Sequence, residues 1–131
     1  MDLLDVDDLD PGQLEAVLDR AATLKTGGAD EPLDGATLAM VFEKPSTRTR
    51  VSFETGMTQL GGHAVFLGPD DIGLHGREPV RDIGRVLGRY GDFVMARLFD
   101  HADAVTLAEH SAVPFVNGLT DDAHPCQTLA D

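Results

Sequence analysis

Hydroxyl and basic side chains are concentrated in one short segment, Glu43–Arg50, which follows an apolar run and leads into a helical pattern. The first turn of that helix is expected to contain Ser46, Thr47, Arg48 and Thr49. Unpaired backbone N–H groups and a partial positive charge at a helix start both attract anions. The guanidinium of Arg48 offers two parallel hydrogen bonds, and the hydroxyl groups can rotate toward the same ligand. We therefore predict that this segment binds a phosphate dianion.

A purely structural interpretation of the same segment is also open. Ser46 would then only cap the helix. Arg48 would form a surface ion pair with Glu43, and a second pair would join Arg50 to Glu54 in the same way. Three of the ten basic residues of the chain lie in this segment, however, and that concentration favours anion binding. The segment is not a P-loop, because the pattern G-x-x-x-x-G-K-[ST] is missing.

A second polar motif is His124-Pro-Cys-Gln127. Because three positions separate them, His124 and Gln127 face the same way on one helical turn. Together they can hydrogen-bond a carbonyl oxygen and an amide nitrogen, although a helix cap followed by an exposed glutamine is the structural alternative. Between them, Cys126 is predicted to be a small packed residue, since no basic neighbour in the motif would activate its thiol.

Arg97 lies near the end of the apolar run Phe93–Phe99, which is typical of a buried strand. A buried guanidinium is costly unless it is paired or functional. Arg97 therefore either binds a neighbouring carboxylate or belongs to a site. No metal or cofactor is predicted, because the five histidines lack the H-x-x-x-H spacing and the chain has one cysteine.

The elements that must position these residues alternate along the chain, which predicts an α/β fold. Strands are expected at 37–42, 64–67, 93–98 and 113–116, and helices are expected to begin at Pro11, Ser46, Pro79, His101 and His124. The first helix should end at Gly27-Gly28, and the ten residues before it should lie against the surface. We expect an open parallel sheet of about four strands with helices on both faces. The polar groups follow three strands, so they should meet at one edge of the sheet.

Composition limits the possible partners. The length of 131 residues is that of one domain. The net charge of −13 repels nucleic acids and anionic membranes, so neither is expected to bind. The acidic surface and the presence of only two lysines favour adaptation to high salt over an ordinary acidic surface. Without an apolar run long enough to span a membrane, and without a signal segment at the start, the expected location is the cytoplasm.

Together, the motifs resemble the amino-terminal half of the transcarbamoylase family over about residues 37–131. Ser-Thr-Arg-Thr-Arg at 46–50 and His-Pro-Cys-Gln at 124–127 are similar to motifs of the whole family. The preceding segment Asn117-Gly-Leu-Thr-Asp resembles the ornithine branch rather than the aspartate branch. The resemblance implies the carbamoyl-phosphate-binding domain of an ornithine carbamoyltransferase, which converts carbamoyl phosphate and ornithine into citrulline and phosphate without a cofactor.

The resemblance also implies a role for each site residue. The phosphate group would be held by Ser46, Thr47, Arg48 and Thr49. Arg97 and His124 would donate hydrogen bonds to the carbamoyl carbonyl oxygen, with Thr49 assisting. Gln127 would accept a hydrogen bond from the carbamoyl amino group. Arg97, His124 and Gln127 would thus be catalytic, because charge develops on that oxygen during the reaction.

The family chain continues into a second domain that binds ornithine, and none of the motifs of that domain occurs here. We therefore expect a partial enzyme with little or no turnover by itself, whose full-length counterparts are homotrimers of arginine metabolism and the urea cycle. A domain of another transcarbamoylase, acting on aspartate or a different amine, is one alternative. A stand-alone anion-binding module is the other.

Two positions depart from the family pattern. Family members place glutamine or histidine in the loop after the second strand, where it reaches the site of a neighbouring subunit, and here that position is Gly73. His75 or Arg77 is a candidate substitute. The family pattern D-T-A-R-V is Asp-Ile-Gly-Arg-Val at 82–86, which should alter the packing of that helix.

Overall fold

The computed structural model describes residues 1–27 and 31–131. Its strands are β1 (Thr37–Phe42), β2 (His63–Leu67), β3 (Phe93–Arg97) and β4 (Phe115–Leu119). Its helices are α1 (Pro11–Lys25), α2 (Thr47–Gln59), α3 (Pro69–Ile72), α4 (Val80–Tyr90), α5 (His101–Ser111) and α6 (Pro125–Ala130), and a short 3-10 helix spans Val6–Asp8. In the described part of the chain, no helix has both the length and the apolar character needed to cross a membrane.

The four strands form one parallel sheet in the order β2-β1-β3-β4. Alternate residues of β1 point to opposite faces. Ala39 and Val41 belong to a core that includes residues of α4 and α5, whereas Met40 and Phe42 belong to a second core that includes Met57 of α2. The predicted open α/β sheet with helices on both faces is therefore confirmed.

The sequence placed the last strand two residues too early. Pro114 has no N–H group for the ladder, and pairing between β3 and β4 begins at Phe115. The polar residue Asn117 lies inside this strand and is fully buried, although it was expected in a loop. The four-residue helix α3 was also missed, because one turn carries no periodic pattern.

The amino-terminal residues do lie against the surface, at the outer edge of β4. The Leu3 N–H donates to the Phe115 oxygen at 2.8 Å, and the Asn117 N–H donates to the Leu3 oxygen at 2.8 Å. The segment thereby covers an exposed strand edge. Gly27 follows α1 with a φ of 86°, which favours glycine, while Gly28 lies outside the described residues.

The strand order creates a crevice between β1 and β3. From the central strand β1 the chain continues outward to β2 at one edge of the sheet. From the other central strand, β3, it continues outward to β4 at the opposite edge. In open α/β sheets, ligands bind where the strand order reverses, outside the carboxyl ends of the two central strands. Arg97 ends β3 at this point, and α2 begins just after β1.

Candidate functional site

The first turn of α2 begins directly above the carboxyl end of β1. Ser46 is the residue before the helix, and its hydroxyl accepts a hydrogen bond from the Thr49 N–H at 3.4 Å. Ahead of the helix, the Glu43 N–H donates to the Arg97 oxygen at 2.9 Å, which keeps the loop against β3. The helix start therefore faces the crevice between β1 and β3.

Arg97 extends from β3 toward α2. Its Nη1 donates to the Thr49 hydroxyl at 3.2 Å, whereas its Nε is buried without a hydrogen-bond partner among the described residues. Burial lowers the pKa of the guanidinium from its usual value. The structural alternative required a carboxylate partner, and within the described ranges Arg97 has no ion pair. The described residues therefore use only part of the hydrogen-bonding capacity of Arg97.

His124 and Gln127 lie at the start of α6, after the loop that follows β4. The Nδ1 atom of His124 accepts from the Gln127 N–H at 3.4 Å, so His124 is the helix cap. Burial, followed by the positive charges of Arg97 and Lys44, lowers the pKa of His124. A neutral ring that accepts at Nδ1 carries its hydrogen on Nε2. Gln127 is exposed, and its side chain donates to Asp131 at 3.0 Å.

One open cavity of about 260 Å³ brings the two helix starts together, with Arg48, Thr49, His124 and Gln127 among its lining residues. Arg97 joins this group through its hydrogen bond to Thr49. The side chain of Thr47 instead lines a different concave surface farther along α2. The structure thus brings five of the seven predicted site residues together. Of the other two, Ser46 caps α2 and Thr47 is the first residue of that helix.

The cavity also includes residues that the sequence analysis did not assign. Ser52 and Phe53 line it one turn after Thr49, and their helical spacing of three and four positions was the available signal. Lys44 was recognised only as part of the basic cluster. Its Nζ lies 5.1 Å from the centre of the Phe99 ring, and its charge acts on His124.

The three basic side chains of the segment Glu43–Arg50 fall into two groups. Arg50 forms the predicted ion pair with Glu54 at 3.1 Å, and its guanidinium carbon lies 3.7 Å from the centre of the Phe66 ring. Lys44 and Arg48, in contrast, form no ion pair within residues 1–27 and 31–131. The suggested partner of Arg48 is engaged elsewhere, since the carboxylate of Glu43 accepts the Phe99 N–H at 2.9 Å. The structural interpretation therefore holds for Arg50 but not for Arg48.

Cys126 is partly buried between the two site residues of α6. Its Sγ lies 3.7 Å from the Asn117 oxygen, and burial raises the pKa of the thiol. A raised pKa disfavours the thiolate, which supports the packing role predicted for Cys126, although the residue also lines the cavity. Within the described residues, there is no group of three or more His, Cys, Asp and Glu side chains that could hold a metal ion.

The loop after α3 contains the departure at Gly73, which has a φ of 58°. The ring of His75 lies 2.6 Å from the buried carboxylate of Asp103, and that hydrogen bond and charge raise the pKa of His75. Arg77 donates to the carbonyl oxygens of Asp70 and Asp71, at 3.3 and 3.2 Å. Both candidate substitutes contact their own domain, and their action on a neighbouring subunit stays a prediction.

Comparison with known proteins agrees with this geometry. A sequence model of the family described as aspartate/ornithine carbamoyltransferase, carbamoyl-P binding domain, matches residues 1–131. The ornithine carbamoyltransferase of Haloquadratum walsbyi is 64% identical over 128 residues, which are 98% of this chain and 43% of that protein. The chain therefore spans less than half the length of this relative.

Solved structures share the fold. The ornithine carbamoyltransferase of Pyrococcus furiosus superimposes with a TM-score of 0.93 at 47% identity, over 99% of this chain and 43% of the other. An N-acetyl-L-ornithine transcarbamylase, solved with carbamyl phosphate, superimposes with a TM-score of 0.89 at 36% identity. The match covers 99% of this chain and 46% of that one. With the whole chain matched and the motif residues gathered at the crevice, the chain belongs to the aspartate/ornithine carbamoyltransferase family and corresponds to its carbamoyl-phosphate-binding domain.

Proposed function

We propose that the crevice between β1 and β3 binds carbamoyl phosphate as part of an enzyme that carbamoylates the side-chain amine of ornithine. The observation that carries the proposal is the charge arrangement. In a chain of net charge −13, Arg48 lines the cavity, Arg97 donates to Thr49 at its wall, and the charge of Lys44 acts on His124. None of the three cations forms an ion pair within the described ranges. Cations kept free of carboxylates in an acidic protein are suited to a dianionic ligand.

The phosphate group is assigned to the start of α2. The backbone N–H groups of the first turn and the helix dipole favour a dianion there. Arg48 adds a two-pronged contact, the hydroxyls of Ser46 and Thr49 can donate hydrogen bonds to the phosphate oxygens, and Thr47 offers its backbone N–H from the first turn. These groups hold the substrate in place and stabilise the departing phosphate.

The carbamoyl group is assigned to Arg97, His124 and Gln127. Arg97 has terminal guanidinium N–H groups besides the one bonded to Thr49, and the neutral ring of His124 presents its Nε2–H, so both can donate to the carbonyl oxygen. That oxygen gains negative charge when an amine attacks the carbon, and removing one such donor typically slows catalysis by ~10²–10³. The side-chain oxygen of Gln127 would accept a hydrogen bond from the carbamoyl amino group.

The amine acceptor is assigned to the part of the family chain beyond this domain. The attacking amine must lose a proton, and among the described residues of the cavity none is a convincing dedicated base. We therefore expect this chain to bind carbamoyl phosphate with little or no turnover. The complete enzyme is proposed to be a cytoplasmic homotrimer of arginine metabolism, linked to citrulline and the urea cycle. The acidic surface supports a salt-adapted protein and argues against nucleic acid or membrane partners.

The alternatives are less well supported. Identity to the ornithine carbamoyltransferases described above is 47% and 64%, compared with 36% for the N-acetyl-L-ornithine enzyme. This difference favours ornithine as the acceptor over other amines. A stand-alone anion-binding module would need Arg48 and the phosphate site but would not need Gln127. Citrulline formation after addition of a complementing carboxy-terminal half, with aspartate and N-acetylornithine as comparison acceptors, distinguishes these alternatives.

Calorimetric titration with carbamoyl phosphate, in low and in molar potassium chloride, tests the binding site directly. Arg48→Ala should abolish saturable binding. Arg81→Ala is the matched control, because it removes the same charge from an exposed position on α4. Wild-type affinity in Arg48→Ala would contradict the proposal, as would an equal loss of affinity in both variants.

A further inference from the structure

The turn between β4 and α6 leads directly into His124, and Thr120 closes it. The Thr120 N–H donates to the Ala123 oxygen at 3.0 Å, and the Ala123 N–H donates to the Thr120 hydroxyl at 3.3 Å. Both backbone polar groups of Ala123, the residue before His124, are therefore held by Thr120.

The Thr120 hydroxyl belongs to a buried network that joins it to Asn117, Ala123 and His101. Thr120 is 4% exposed and Asn117 is 0% exposed. The Asn117 amide donates to the Thr120 hydroxyl at 3.5 Å and to the Ala123 oxygen at 3.4 Å. The hydroxyl also lies 2.7 Å from Nδ1 of His101, and the tautomer of that ring decides which of the two groups donates.

The same turn is tied to the strand that carries Arg97. The Leu98 N–H donates to the Leu119 oxygen at 2.8 Å, just before the turn. The Asp121 N–H donates to the Phe99 oxygen at 3.0 Å, and the Asp121 carboxylate accepts the His101 N–H at 2.9 Å. The turn therefore sets the position of α6 relative to the end of β3.

We propose that Thr120 is a positioning residue of the carbamoyl-phosphate site, whose hydroxyl fixes the turn that holds the ring of His124 at the cavity. Thr120 does not line the cavity, so it acts through His124. The inference rests on the proposed function for the identity of the ligand. The network itself involves only side chains and backbone groups of this chain.

Two substitutions separate the hydroxyl from the methyl group. Thr120→Val removes the hydroxyl and keeps the branched shape, while Thr120→Ser keeps the hydroxyl. Thr106→Val is the matched control, because the Thr106 hydroxyl bonds only a carbonyl oxygen of its own helix. The measurements are the titration of the His124 ring by NMR and the affinity for carbamoyl phosphate by calorimetry.

In Thr120→Val, the pKa of His124 should rise toward its ordinary value, because the ring is no longer held in its buried place beside Arg97 and Lys44. Unmade buried hydrogen bonds should weaken carbamoyl phosphate binding by about tenfold or more. Thr120→Ser and Thr106→Val should behave like the wild type. If the wild type binds no carbamoyl phosphate while the pKa of His124 still rises in Thr120→Val alone, the proposed function fails and the positioning role stands.

The proposal is overturned if folded Thr120→Val has the wild-type pKa of His124 and the wild-type affinity. It is also overturned if Thr120→Ser loses as much carbamoyl phosphate affinity as Thr120→Val. The methyl group rather than the hydroxyl would then be responsible for the effect. If Thr120→Val does not fold, His101→Phe removes one of the three partners of the Thr120 hydroxyl, from a partly buried position on α5. A raised pKa of His124 in that variant supports the proposal, and an unchanged pKa refutes it.

Discussion

Replacing Arg97 with methionine should weaken ligand binding and at the same time stabilise the fold. The guanidinium is partly buried, has one hydrogen bond to Thr49, and leaves its Nε without a partner among the described residues. An unsatisfied buried donor costs about 1–3 kcal/mol, and a hydrogen bond to a charged group contributes about 1.5–3 kcal/mol. Burial of the charge adds a further cost, which methionine avoids. We expect the free energy of unfolding in Arg97→Met to rise by about 1 kcal/mol.

Ligand affinity should change selectively in the same variant. Loss of a charged donor to the carbonyl oxygen should cost about 1.5–3 kcal/mol, which is roughly a 10- to 150-fold weaker binding of carbamoyl phosphate. Inorganic phosphate should bind as it does to the wild type, because its contacts are assigned to α2. Arg97→Lys keeps the charge but not the planar fork, and it should recover only part of the affinity.

Urea denaturation measures the stability and calorimetry measures the two affinities. A fall of more than about 2 kcal/mol in the stability of Arg97→Met would mean that the guanidinium is mainly structural, as for a broken buried pair. An equal loss of affinity for phosphate and carbamoyl phosphate would mean that Arg97 holds the phosphate group. The first result refutes the predicted gain in stability, and the second refutes the assignment of Arg97 to the carbonyl oxygen.

Three further predictions concern the frame around the site. The pKa of His75 is raised by its hydrogen bond to Asp103 and by the charge of that carboxylate. This pair therefore stabilises the fold at pH values below the ordinary histidine pKa. The stabilisation is lost as the pH rises through the raised pKa. Urea denaturation across that range should show this fall in the wild type and not in His75→Gln. A Cβ on Gly88 would lie 1.6 Å from a carbonyl oxygen of α5, so thermal unfolding of Gly88→Ala should show a loss of stability of about 1–3 kcal/mol. A Cβ on Gly84 would meet its nearest atom at 3.4 Å, so Gly84→Ala should gain up to ~1 kcal/mol of stability. Arg50→Lys should cost about 0.5–1 kcal/mol of stability, because the planar contact with the aromatic ring is lost, and calorimetry should find carbamoyl phosphate affinity unchanged.

The parts of the fold that follow from local pattern were predictable. The apolar run of β1 and the helical pattern of α2 bracket the proposed anion site, and their order in the chain places that segment at the carboxyl end of a strand. Proximity of Arg97 to His124 could not be derived from spacing, because it depends on which strands are neighbours. The burial of Asn117 was missed for a related reason. A polar residue is assigned to a loop unless its partners are known, and here one of them is Leu4, at the far end of the chain.

The structural and the functional interpretations of the site turn out to describe the same atoms. Ser46 and His124 do cap α2 and α6, as the structural interpretation required. A cap alone, however, does not explain why Arg48 and Arg97 have no carboxylate partners in the described part of a chain with 23 acidic residues. Arg48 lines the cavity between the two helix starts, and Arg97 is partly buried beside it, so the placement of these two charges is the feature that a ligand must account for. The caps fix the two helix starts, and we propose that the cations beside them make the place where they meet a site for an anion.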